Sequence, residues 1–509
     1  MKKIKPIISR TILMVLFFAI QLAVLCTIVW EFNNYFAYYY AFDVILRILF
    51  IIKIANDDSN PGYKIAWIIP VAAVPIFGSL IYILFGQKTL KKKTIAEMTQ
   101  ISEDAYSTLN TKNNEIAERL KKEDKTAFIQ SNYISKFANF PVYDNTYTEY
   151  IPSGEMKFQK LTEELEKAQK FIFMEYFIIG EGIMWNSILE ILKKKVTQGV
   201  DVRIIYDSFG CLEVLPLKYS KTLESMGIKC AEFNPFVPIL DVRLNNRDHR
   251  KICVIDGNVG FTGGINIADE YINVYEKHGH WKDSAILLKG DAVWSLTVMF
   301  LTMWDYLKKT HTDIKNYKGP SHIKYENSGY IQPYSDNPMD SEPVGETVYL
   351  NIINKAVDYI YITTPYLIID NTMVTALCSA SKAGVDVKII TPHIPDKKYV
   401  HSVTRSYYEK LITAGIEIYE YTPGFIHAKT FVADDKYGVV GTINMDYRSL
   451  FLHFECATWL YKSKCVNEIK EDFVKTLEVC EKITLEHCRK TPLYKRFIRG
   501  ILNLLAPLM

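Results

Sequence analysis

The 509 residues of this chain exceed one ordinary domain and leave room for three or four units, or for one duplicated enzyme with additions. A composition of 49% hydrophobic and 23% charged residues excludes a disordered chain, and a mean hydropathy of 0.00 is too polar for a polytopic transporter. The net charge of +3 hides a segregation: residues 1–93 carry 11 basic and 4 acidic side chains, residues 94–488 carry 44 and 53, and residues 489–509 carry 5 and none. The 9 cysteines form no CxxC pair and read as reduced thiols, which favours a cytosolic face for the large domain.

In chain order, the first element is the charge-free run Thr11 to Trp30, about 30 Å long as a helix and enough to span a membrane. No small-residue cleavage site follows it, so an uncleaved anchor is expected. A second charge-free run covers Ile65 to Phe85. Between them, residues 36–54 are apolar but contain Asp43, Arg47 and Lys53, and Asp43 and Arg47 are spaced to pair on one helix face. Lysines cluster before the first run and after the second, so the positive-inside rule puts both ends in the cytoplasm. Residues 1–87 are therefore expected to form a membrane hairpin with spans near 11–30 and 65–85 and an interfacial segment near 36–54. A multi-pass cell-membrane protein with a cytoplasmic catalytic part is therefore expected.

Residues 88–137 read as a helical linker, with neither Gly nor Pro from 94 to 135. Beyond it the chain repeats. Gly199-Val200-Asp201-Val202-Arg203-Ile204-Ile205 recurs as Gly384-Val385-Asp386-Val387-Lys388-Ile389-Ile390, and Phe171–Met174 matches Tyr359–Ile362 as a buried strand. Alternating helix and strand signals predict two α/β halves, 138–320 and 321–492, each with a sheet between helices and both sharing one composite site. The end of the chain, 493–509, is a basic amphipathic tail of the kind that lies on anionic lipid; the alternative is a terminal helix packed on the core.

The strongest repeat is His249-x-Lys251-x4-Asp256 followed by Gly263-Gly264-Ile265-Asn266, recurring 178 positions later as His427-x-Lys429-x4-Asp434 and Gly441-Thr442-Ile443-Asn444. A lone HxK would carry little meaning, but a second copy with the same extension reverses that. On a strand, His and Lys two apart share a face, whereas Asp has the other parity and belongs to the following turn. Two imidazoles, two ammonium groups and two carboxamides suit a tetrahedral phosphodiester anion and a phosphoryl-type transition state. Lysines beside the histidines and the lack of nearby cysteines disfavour a metal site.

These residues resemble the phospholipase D superfamily, whose signature is this duplicated motif. The N-terminal hairpin, Asn60-Pro61, Leu84-Phe85-Gly86 and the Leu-rich tail are similar to the bacterial cardiolipin synthase family. The resemblance implies an α/β fold of two pseudo-symmetric phospholipase D-like halves preceded by the hairpin. It also implies a phosphatidyltransferase that needs no cofactor or metal. By similarity, His249, Lys251, Asp256, His427, Lys429 and Asp434 are the catalytic set, with His249 the nucleophile that forms a phosphohistidine and His427 the acid and base. The symmetric motif leaves the opposite assignment open. Asn266 and Asn444 join the lysines in phosphate binding, and Asp283 and Glu455 are the supporting carboxylates. The family pattern has Asn where this chain has His453, a departure that leaves that residue without an assigned role.

The resemblance implies phosphatidylglycerol as substrate, two molecules giving cardiolipin and glycerol. A hydrolase or another phosphatidyltransferase would share the motif. Nucleic acid is not an expected partner, because residues 94–488 are net acidic and the electrostatic attraction that dominates such binding is missing. An inactive scaffold would have lost some of the six motif residues, and all six are present.

Overall fold

The computed structural model describes residues 36–74, 76–86, 92–109, 114–235, 245–320, 323–325 and 329–508, with scattered positions between 19 and 30. The run Thr11 to Trp30 falls largely outside the described residues. Among the described residues, no helix is long and apolar enough to cross a membrane. The expected continuous helix over 65–85 is divided into Pro61–Ala73 and Phe77–Phe85. Val74, which precedes a proline, takes the extended conformation, and Ile76 has φ 49°.

The charges of the preceding helix, Phe36–Ala55, serve this break. Asp43 Oδ1 accepts the Ile76 amide at 2.6 Å, Arg47 pairs with Asp43 at 2.5 Å, and Arg47 Nη1 donates to the Ala72 carbonyl at 3.1 Å. Two backbone groups freed by the interruption thus find charged partners, which explains why an otherwise apolar helix carries this pair. Asn60 caps the next helix by accepting the Gly62 amide, with Pro61 at the first helical position, and its Nδ2 donates to Asp370 Oδ2 at 2.9 Å in the second half. The N-terminal helices are thereby tied to the α/β body.

Two sheets form that body. The first runs, in spatial order, Thr146–Ile151, Ala285–Gly290, Val259–Gly263, Lys251–Ile255, Phe171–Tyr176, Asp201–Asp207 and Lys229–Phe233. The second runs Tyr330–Asp336, Glu455–Tyr461, Tyr437–Gly441, Thr430–Ala433, Tyr359–Thr363, Asp386–Pro392 and Glu417–Tyr421, with Cys480–Ile483 added at its edge. The order is the same in both, as the repeats predict, and each motif strand lies antiparallel beside the buried strand that opens its half. The central strands are buried at nearly every position because helices cover both faces.

One core cluster spans both halves, joining Phe173, Val254 and Leu288 to Tyr334, Val439 and Trp459. The helix Val293–Lys308 runs through it with Val293 to Asp305 all buried. The helices between the N-terminal segment and the body, Lys92–Ser107, Asn114–Glu123 and Lys125–Tyr133, add Met98, Ala105, Leu120 and Ala127 to the same core. They are packed elements of the body. The cysteines are free and mostly buried.

Candidate active site

Each motif histidine is delivered to the other half of the molecule by a short stretch of parallel backbone pairing. In one place Asp248 pairs with Phe454, the His249 amide donates to the Phe454 carbonyl at 2.9 Å, and the Phe454 amide donates to Arg247 at 2.8 Å. In the other, Gly424–Ile426 pairs with His280–Lys282 and the His427 amide donates to the Lys282 carbonyl at 2.6 Å. These seams fix which carboxylate each imidazole meets. His249 Nδ1 lies 2.9 and 3.0 Å from the two oxygens of Glu455, and His427 Nδ1 lies 2.6 Å from Asp283 Oδ2. The carboxylate of each half thus orients the histidine of the other.

Asp283 and Glu455 are equivalent by register. Each stands two residues before the alanine that faces the first glycine of its motif, Ala285 opposite Gly263 and Ala457 opposite Gly441. The second residue of the glycine motif differs between halves to suit them. A Cβ on Gly264 would come within 2.1 Å of Asp283 Oδ1, so only glycine lets that carboxylate sit there. In the second half the same position is Thr442, whose hydroxyl donates to Glu455 Oε2. Sequence reading missed this role of Thr442; the difference between Gly-Gly-Ile-Asn and Gly-Thr-Ile-Asn was the available signal.

The two lysines are buried and turned back on their own motifs. Lys251 Nζ donates to the His249 carbonyl at 2.6 Å, and Lys429 Nζ donates to the His427 carbonyl. Burial lowers Lys251 to about 8 and Lys429 to about 7, against the opposing pull of Asp283 and Glu455. Both lysines feel both carboxylates, so the half-sites form one electrostatic unit. Burial likewise lowers His249 to about 3 and His427 to about 4, so both imidazoles are neutral near pH 7. The His249 partner holds Glu455 far below the usual carboxylate range.

Asp256 and Asp434 face elsewhere. Asp256 has φ 51°, and its carboxylate accepts the amides of Gln169, Lys170 and Phe171 at 2.7 to 2.9 Å. Asp434, at φ 54°, accepts those of Val357, Asp358 and Tyr359 at 2.8 to 3.0 Å. Each clamps its motif strand to the start of the neighbouring central strand. Among the described residues, neither bonds the histidine or lysine of its motif. The turn role read from parity describes this geometry better than membership of the catalytic set.

The asparagines differ as well. Asn266 is fully used, its Oδ1 accepting the Ile178 amide at 3.0 Å and its Nδ2 donating to the Tyr271 hydroxyl at 2.6 Å. Asn444 is also buried, but its Oδ1 has no partner among the described residues. A further lysine escaped the sequence reading. Lys157 lies in the apolar stripe of helix Gly154–Lys167, fully buried, and donates to the Ile265 carbonyl at 2.8 Å, while Tyr349 donates to the equivalent Ile443 carbonyl at 2.9 Å. Its position one and two turns before Leu161 and Leu165 was the signal. His453 stands beside the site, its ring centroid 5.6 Å from that of His249 and its Nδ1 3.6 Å from Glu455 Oε1.

Two α/β halves, each sending one His-x-Lys strand into a centre completed by the other half's carboxylate, define a duplicated phospholipase D-like protein. The family model "Cardiolipin synthase, PLD-like domain" matches residues 161–289 and 349–477, and "Phospholipase_D-nuclease N-terminal" matches residues 45–87. An uncharacterised protein of Streptococcus mutans serotype c is 43% identical over 90% of this chain and 99% of its own. The cardiolipin synthase of Halalkalibacterium halodurans is 33% identical over 92% of this chain and 94% of its own, and cardiolipin synthase 2 of Bacillus anthracis is 33% identical over 89% and 88%. The crystal structure of phosphatidylserine synthase from Haemophilus influenzae shares the fold, with a TM-score of 0.56 at 14% identity over 76% of this chain and 98% of that one. The chain belongs to the cardiolipin synthase family, phosphatidyltransferases of the phospholipase D superfamily.

Proposed function

We propose that the chain transfers the phosphatidyl group of one phosphatidylglycerol to another, giving cardiolipin and glycerol through a phosphohistidine. The observation that carries the mechanism is the pair of crossed His–carboxylate contacts. A carboxylate on Nδ1 holds the proton there and leaves the Nε2 lone pair for chemistry. His249 Nε2 attacks phosphorus, and the P–O bond to the glycerol headgroup breaks as His427 delivers a proton to that oxygen. His427 then accepts the proton of the second lipid's hydroxyl as its oxygen attacks phosphorus and releases His249. The neutral state of both imidazoles suits the attack, and the phosphodiester anion, once bound, favours the proton that His427 must carry. Lys251, Lys429 and the Nδ2 donor of Asn444 stabilise the equatorial oxygens, with Asn266 shaping the wall through Ile178 and Tyr271.

The lipid surface is met from the N-terminal helices and the tail. Helix Leu493–Leu505 exposes Leu493, Tyr494, Phe497 and Ile501 next to Lys495, while its end packs through Ala506 against Tyr447 and Val403. The exposed apolar flank with basic neighbours suits an anionic bilayer, with the anchor in the membrane and the α/β body on its cytoplasmic side.

Purified enzyme with phosphatidylglycerol vesicles tests the reading by mass spectrometry. Cardiolipin and free glycerol in equal amounts are expected, with a phosphatidyl adduct, trapped by rapid detergent denaturation near neutral pH, that His249→Ala lacks. Phosphatidic acid in place of cardiolipin would mean that water takes the intermediate. Substantial transfer by either His249→Ala or His427→Ala would sink the two-histidine mechanism.

A further inference from the structure

His453 is an imidazole beside the active site that the mechanism leaves unused. Both its ring nitrogens are buried and without a hydrogen-bond partner among the described residues, and its side chain is 11% exposed. A buried imidazole with neither nitrogen satisfied is costly unless something else fills the gap. Its Nδ1 lies 3.6 Å from Glu455 Oε1, too long for a hydrogen bond, and the same oxygen lies 2.9 Å from His249 Nδ1. One donor atom each from His249, His453 and Glu455 lies within 4.8 Å of the other two. Two imidazoles and a carboxylate at these spacings are the ligand set of an open tetrahedral zinc site, with a fourth position left for water.

We propose that His249, His453 and Glu455 form an inhibitory site for zinc or a similar divalent transition metal. The ion takes the place of the proton that Glu455 holds on His249 Nδ1. A neutral imidazole bound to metal through Nδ1 carries its remaining proton on Nε2, so the lone pair needed for attack on phosphorus is gone. The metal thus arrests the enzyme without changing its fold, and a chelator restores it. Lys251 and Lys429 lie near enough to weaken the affinity, which suits a reversible inhibitor better than a resident structural ion. Binding stands on the geometry alone, whereas inhibition rests on the reading of His249 as a reacting group.

The experiment uses the full chain in detergent micelles, with zinc chloride and cobalt chloride as probes. Competition with a chromophoric chelator is expected to give one zinc per wild-type chain, and cobalt to give visible absorption bands of a low-symmetry site. His453→Asn and His453→Gln, both with transfer activity near wild type when a chelator is present, should bind zinc about tenfold or more weakly and keep their activity at zinc concentrations that silence the wild type. Equal zinc binding by wild type and both variants overturns the site. Tighter binding by the wild type without loss of transfer overturns the inhibition and the role of His249 while leaving the metal site standing.

Discussion

Asp283 Oδ2 and His427 Nδ1 are 2.6 Å apart although 144 positions separate them, and they come from different halves of the molecule. The contact is buried on both sides and is set by backbone pairing of Gly424–Ile426 with His280–Lys282. Asp283→Asn keeps size and burial but replaces an acceptor with an amide that can offer its N–H to Nδ1, favouring the wrong tautomer. Turnover is expected to fall by about 10²- to 10⁴-fold, the range seen when an orienting carboxylate is neutralised in a nucleophile–histidine pair. Glu455→Gln should act alike through His249. Steady-state transfer assays check this, with circular dichroism showing an intact fold; activity within tenfold of wild type would contradict it.

The motif aspartates give the opposite expectation. Three backbone amides donate to Asp256 and three to Asp434, so Asp256→Ala or Asp434→Ala leaves those groups without their charged acceptor. A loss of roughly 2–4 kcal/mol of stability is expected for either, from the usual worth of hydrogen bonds to a charged group in a partly buried site. Turnover per folded molecule should fall much less than in Asp283→Asn. Denaturant melts beside assays normalised to folded protein separate the two; a stable but inactive Asp256→Ala would return the residue to the catalytic set.

Much of this architecture was legible because it is repeated. The 178-residue offset between His249 and His427 identified the motif, and strand parity put His and Lys on one face with Asp at the turn. What stayed hidden was the crossing. Nothing in a linear chain says that Asp283 should serve His427 and Glu455 serve His249, because that depends on two backbone seams between halves, and single pairings such as Asp248 with Phe454 leave no periodic trace. The break in the run 65–85 was legible only in part, since a proline marks its place but its partners come from elsewhere. Apolar composition reports only transfer free energy, while the interruption depends on Asp43 and Arg47 from another helix capping Ile76 and Ala72.

Binding of the anionic substrate should weaken above neutral pH. Burial lowers Lys251 to about 8 and Lys429 to about 7, so both ammonium groups are lost in the free enzyme as the pH rises from 7 to 9. Because kcat/KM reports the free enzyme, it should fall over that window. Bound phosphodiester favours the charged lysines, so the corresponding fall in kcat lies at higher pH. The histidines, at about 3 and 4, contribute no limb to kcat/KM between pH 6 and 9. A flat kcat/KM from pH 7 to 9, measured with vesicles of fixed composition, would argue against the lysines as the phosphate-binding cations.

Glu346 offers a test of stability that leaves the motif untouched. It is 6% exposed, its Oε1 lacks a partner among the described residues, and burial together with neighbouring Asp370 pushes it up to about 8. Between its unfolded value near 4.5 and that folded value the native state binds the extra proton, so the contribution of Glu346 to stability falls as pH rises. Gln has the shape of the protonated acid, can still donate to Asp370, and does not ionise. Glu346→Gln should therefore match the wild type near pH 5 and gain on it toward pH 8, at up to about 1.4 kcal/mol per pH unit. Asp370 also accepts the Asn60 side-chain amide at 2.9 Å, so the gain should extend to the docking of the N-terminal helices. Thermal melts at four pH values measure the gap, and one that stays constant from pH 5 to 8 would rule out a buried, proton-holding Glu346.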